Sequence, residues 1–138
     1  MMEKKDIALQ QLIDSANLYR KGRYCSALTL AGAAEEILGK ISKRRTGRNQ
    51  LEHEIEYLES VYRYFKKPIP PKKALVNQIN RTKNELKHND EGENLWVESD
   101  FENECVLLFV KAVKNYFDAY KEMPKSKTVV NLFADICL

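Results

Sequence analysis

With 138 residues, 43% of them hydrophobic and 31% charged, the chain has the length and composition of one globular domain with a single core. Its net charge of +3 is too small to imply nucleic-acid binding by itself, and its longest strictly apolar run, 106–110, is far too short for a membrane span. The odd set Cys25, Cys105 and Cys137 has no C-x-x-C spacing, which argues against a disulfide framework or a zinc site and predicts buried, reduced thiols.

Apolar residues three and four apart predict helices along almost the whole chain. Residues 3–21 carry Ile7, Leu9, Leu12, Ile13, Ala16 and Tyr19 on one stripe, and Gly22 supplies the stop. Residues 23–45 carry Tyr24, Ala27, Leu28, Ala31, Ala34, Leu38 and Ile41, with enough small residues for a neighbouring helix to approach closely. Thr46 and Gly47 end that helix, and residues 49–66 repeat the pattern with Leu51, Ile55, Leu58, Tyr62 and Phe65. Pro68, Pro70 and Pro71 break the chain, and Pro71 is placed to start a fourth helix that ends near Asn89.

Ser99 with Glu102 reads as a capping box for a fifth helix, 100–121, whose stripe is Phe101, Cys105, Leu108, Phe109, Ala112, Tyr116 and Tyr120. Pro124 stops it. The tail, 125–138, is too apolar to be left in water at Val129, Val130, Leu132, Phe133, Ile136 and Leu138, and a short docked helix is expected there. No alternating strand pattern and no internal repeat is present. The expected fold is all-α: a single domain over 1–138, built as an up-and-down bundle of about five helices with its core in 3–121. The N-terminus has no apolar stretch of signal-peptide length, so a cytoplasmic protein without membrane contact is expected.

Charge is segregated. Lys40, Lys43, Arg44, Arg45 and Arg48 form one basic cluster and Lys66, Lys67, Lys72 and Lys73 another, while Asp90, Glu91, Glu93, Glu98, Asp100, Glu102 and Glu104 form an acidic block without Lys or Arg.

The segment from Asn77 to His88, NQINRTKNELKH, carries two stripes. Leu75, Ile79, Thr82 and Leu86 lie on one helical face; Asn77, Arg81, Asn84 and His88 repeat that spacing on roughly the opposite side. Arg81 and His88 lie nearly in line, about 10 Å apart along the axis, so both can reach one phosphate. A polar stripe is ordinarily a solvated helix face. Arg and His with two amides, rather than Glu and Lys, point instead to a site. Arg81 and His88 are the candidate catalytic pair, and Asn77, Lys83 and Asn84 the candidate substrate-binding groups.

Other constellations are weaker. Dinucleotide, Walker, metalloprotease, nucleophile-elbow and EF-hand signatures are all missing. His53 is flanked by Glu52 and Glu54, but adjacent helical residues point apart and do not share one metal. Glu35 and Glu36 diverge by about 100° for the same reason, so one of them is better read as a partner of a basic group.

Two segments together resemble the HEPN superfamily of helical domains. The first is GRYCSALTLAGAAEEILGK, where Gly22, Tyr24, Ala27, Ala31, Ala34 and Glu36 fill the places of that family's first long helix. The second is Arg81 followed after six residues by His88, the spacing of the family's Arg/His motif; Lys83-Asn84 to His88 offers a second register with Lys in the Arg place. The likeness covers roughly residues 5–120. It implies a helical bundle that dimerises to bring two Arg/His motifs into one cleft, with metal-independent endoribonuclease activity of the toxin–antitoxin or defence kind and no cofactor. It also implies an alternative, a catalytically inactive module that binds nucleic acid, a cognate antitoxin or another protein partner.

Chemistry supports the dimer separately. Cleavage by a ribose 2′-hydroxyl needs a base for that proton and an acid for the leaving oxygen. His88 is one candidate, and nothing in the sequence brings His53, the other histidine, to it. A two-fold partner supplies a second His88.

Overall fold

The structure, a computed structural model, describes residues 1–87 and 99–138; of residues 82–87 it describes the backbone alone. Among these residues there are six helices and no strand: α1 (Lys4–Arg20), α2 (Tyr24–Thr46), α3 (Gln50–Tyr64), α4 (Lys72–Lys87), α5 (Phe101–Tyr120) and α6 (Lys127–Cys137). The chain is therefore all-α as expected, with helix ends close to those read from the periodicity and the tail folded as the sixth helix. No described helix is long and apolar enough to cross a membrane.

α2 is the centre of the fold and packs most extensively on α5, then on α1. Its buried face is made of small residues, Ala27, Ala31, Gly32 and Ala34, between Leu28 and Leu38. Small side chains let two helix axes come close, so the larger residues Leu12, Leu28, Leu38 and Phe109 fill the space around the contact. One continuous core draws on α1, α2, α5 and α6. Ile55 of α3 and Leu75 of α4 are buried outside it, where α4 lies on α2 and α3 lies on α5.

Side-chain contacts fix the helix directions. Ser15 Oγ donates to the Ala27 carbonyl at 2.7 Å near the tight turn at Gly22, so α1 and α2 run antiparallel. The N-terminal half of α5 also reaches Ser15, through Cys105, while Arg45 at the far end of α2 donates to the Ala119 carbonyl. α5 therefore runs parallel to α2, and the helices that neighbour each other in space do not simply alternate in direction.

Several local expectations are corrected. On α1 the buried positions are Ala8, Leu12, Ser15 and Ala16, and Ile7 faces outward. The cap of α5 is Asp100, whose carboxylate accepts from the Asn103 backbone N–H at 3.0 Å, in place of the Ser99–Glu102 box. Phe65 lies beyond the last turn of α3 and is 63% exposed rather than on its apolar stripe. Only Cys105 is buried, with its thiol pushed up to about 11 by desolvation, whereas Cys25 and Cys137 are exposed.

α6 is capped by Ser126, whose hydroxyl accepts from the Val129 N–H, and it packs on α1 and α5. Val129 and Leu132 enter the core, and Arg20 pairs with Asp135. Removing 126–138 is expected to cost about 3–5 kcal/mol, the burial of two aliphatic side chains. Urea unfolding of the truncated and parent proteins measures it, and equal midpoints would show that the tail contributes nothing.

Candidate functional site

α4 starts from Pro71, whose carbonyl accepts from the Ala74 and Leu75 N–H groups. Leu75, 1% exposed, sets the rotation of the helix. Ile79 is half-buried on the same side, and Asn77 and Arg81 are exposed. At i and i+4 those two share a face, about 6 Å apart along the axis. This is the polar stripe of the sequence reading, as far as its side chains are described. Lys83 and Asn84 lie within α4, but their side chains, like all of His88, fall outside the described residues.

Polar contacts tie the neighbouring α3 to α2 and α5. Asn49 caps α3 by accepting from the Glu52 N–H at 2.9 Å. Lys43 sits 2.8 Å from Glu52, and its hydrogen bond holds the Glu52 carboxyl below its usual range, against the opposing effect of burial. Arg48 pairs with Glu56 at 2.7 Å and lies 3.4 Å from His53 Nδ1; Lys111 of α5 pairs with Glu54. Lys43 and Arg48 of the basic cluster at the end of α2 thus hold α3. His53 is exposed, and among the described residues no three His, Cys, Asp or Glu side chains are grouped as metal ligands.

Glu35 and Glu36 separate as neighbouring helical positions must. Glu36 is exposed, in a groove between α1 and α2 floored by Ile7, Ile37 and Ile41 and rimmed by Lys4, Lys40 and Arg44. Glu35 is buried beside Gly39, where Asn49 and Asn115 converge. Asn115, fully buried on α5, accepts from the Gln50 N–H at 3.0 Å, and Gln50 donates to Asp118 at 2.9 Å. This cluster pins the α2–α3 connection to α5. Sequence reasoning missed it because it joins residues 65 or more positions apart.

The sequence also hid a stripe on α3. His53, Tyr57, Ser60 and Tyr64 fall at i, i+4, i+7 and i+11, and all four are exposed. The apolar stripe read from the sequence takes in Tyr62 and Phe65 and leaves Tyr57 and Tyr64 out, although their spacing is regular.

Comparison of the chain with protein-family models, with curated proteins and with solved structures gives no match.

Proposed function

We propose that the protein is a HEPN-like homodimer that cleaves RNA without a metal, using Arg81 and His88 from both copies at a shared cleft. The observation that carries this reading is the rotation of α4: Leu75 turns into the protein and places Asn77 and Arg81 in solvent. Arg81 is thus on the solvent side of a helix that leads toward His88 in sequence, where a phosphate can approach it.

In the proposed step, a neutral His88 takes the proton from the ribose 2′-hydroxyl as that oxygen attacks the adjacent phosphorus. The bond to the 5′-oxygen breaks, and the protonated His88 of the partner subunit gives that oxygen its proton. The guanidinium of Arg81, a planar fork matched to phosphate oxygens, stabilises the charge that gathers there. Asn77 and Asn84 orient the phosphate, and Lys83 adds screened attraction for the strand. The products are a 2′,3′-cyclic phosphate and a 5′-hydroxyl.

An RNA digest in EDTA tests this. Cleavage with cyclic-phosphate ends is the expected result, and intact RNA at micromolar protein would overturn it. The groove rimmed by Lys4, Lys40 and Arg44 over an isoleucine floor favours a second reading, a non-catalytic module that binds an acidic protein partner. Undegraded RNA together with capture of an acidic peptide would support that module.

A further inference from the structure

Helix α3 divides into three faces at about 100° per residue. Ile55 is buried against the body of the protein. Glu52, Glu56 and Glu59 line the groove toward Pro70 and Lys72, and the first two are already paired with Lys43 and Arg48. The third face is the stripe His53, Tyr57, Ser60 and Tyr64, which carries no carboxylate. Tyr57 is 68% exposed and Tyr64 81%, and Phe65 follows at 63% with its ring edge-on to Tyr64 at 5.1 Å between centroids.

Three large rings left in water within nine positions are unusual for a helix face, which Glu and Lys ordinarily fill. Cations are close to them in the chain. Arg63, Lys66, Lys67, Lys72 and Lys73 are all exposed around the turn that joins α3 to α4.

The turn itself adds an independent observation. α3 ends with the Lys67 N–H bonded to the Tyr62 carbonyl and the Lys66 N–H to that of Arg63, which is a Schellman turn. α1 closes with the same pair of bonds, from Arg23 to Leu18 and from Gly22 to Tyr19, and there the left-handed position is Gly22 at φ 74°. At the end of α3 that position is Lys66, at φ 54°. A side chain is disfavoured in this conformation and glycine is not, so Lys66 stands where the local backbone favours glycine.

We infer that the outer face of α3 and the turn after it form a stacking platform for single-stranded RNA, with Tyr57, Tyr64 and Phe65 under the bases and the turn lysines along the phosphates. Every base offers a π-face, so such a surface holds a strand without reading its sequence. In the chain it is followed by Lys72, Lys73 and α4, the helix of Asn77 and Arg81. The inference rests on the proposed action on RNA and adds where the strand lies outside the cleavage site. A membrane surface fits less well, because phenol, imidazole and hydroxyl groups replace the continuous Leu, Ile or Phe face that insertion requires.

The test measures binding apart from cleavage, by fluorescence anisotropy with a 2′-O-methyl RNA 12-mer, whose blocked hydroxyl prevents attack. Tyr57→Ala and Tyr64→Ala are each expected to weaken binding about tenfold, while Tyr64→Phe keeps it. Lys66→Gly is expected to keep or raise the melting temperature while weakening binding and lowering the slope of affinity against salt by about one. Affinity unchanged in both alanine variants would overturn the platform. So would loss of dimer in those variants, or tyrosine-dependent adsorption to phosphatidylserine vesicles at equal strength. Tyrosine-dependent binding without cleavage of ordinary RNA would leave the platform standing and sink the nuclease; cleavage with unaltered binding in the variants would do the reverse.

Discussion

Phe109→Ala is expected to cost about 3–5 kcal/mol of stability, a large part of the roughly 5–15 kcal/mol that holds a domain of this kind together. Phe109 is 1% exposed and among the largest fully buried side chains in the core that α1, α2, α5 and α6 share. The surroundings cannot collapse to fill the space. α2 presents Ala27, Ala31 and Ala34 to this core, so its backbone is already close to its neighbours, and its Leu28 and Leu38 are themselves fully buried and packed. The control is two positions earlier: Leu107 is 43% exposed, and its alanine variant should cost no more than about 0.5 kcal/mol. Urea unfolding measures both, and the slope against denaturant should stay unchanged if only native packing is lost. A small effect at Phe109 would mean that the α2–α5 contact is looser than its geometry indicates.

The same core shows why the fold was legible in the sequence. Period alone picks out Cys105, Leu108, Phe109, Ala112 and Tyr116 on α5, and all five are buried. Periodicity fails where a helix stops. Phe65 is in phase with Ile55, Leu58 and Tyr62, but α3 ends at Tyr64 and the chain turns at Lys66, so the phase no longer applies. The α5 cap was misplaced by one residue because Ser99 and Asp100 are both good caps, and only the hydrogen bond to Asn103 separates them. Residue type favours burial of all three cysteines, whereas Cys25 lies on the outer side of α2 and Cys137 at the end of α6.

The candidate site was legible to the extent that local period governs it. Leu75 fixes the phase of α4, and Asn77 and Arg81 then face solvent without further information. What the period does not carry is the pairing of distant polar groups. The hold of Asn115 on Gln50 and the ion pairs Lys43–Glu52 and Lys111–Glu54 depend on which helices meet. The aromatic stripe of α3 was missed for another reason: tyrosine spacing looks the same on a core face and on a ligand face, and only exposure distinguishes them.

Arg81→Ala and His88→Ala are each expected to reduce RNA cleavage by about a thousandfold or more, with the helical fold retained. General acid–base groups contribute roughly 10²–10⁴ in rate, and one His88 variant removes both the acid and the base of a symmetric pair. Arg81 is exposed, so its truncation should move the unfolding free energy by no more than about 1 kcal/mol. That separates loss of chemistry from loss of fold. Arg81→Lys should recover only part of the rate, because an ammonium keeps the charge and loses the fork. Asn84→Ala should cost less than either, since an amide orients a phosphate without carrying its charge or proton. Lys83→Ala should act on binding and be rescued at low salt, as a screened contact is. The parent's rate should be bell-shaped in pH, because one imidazole must be neutral while its partner is protonated. Sedimentation of a clean monomer at micromolar concentration would remove that shared pair, and cleavage that survives His88→Ala would place the chemistry elsewhere. A fall in melting temperature for Arg81→Ala with no activity in the parent would make α4 a structural helix and leave the groove between α1 and α2 as the functional surface.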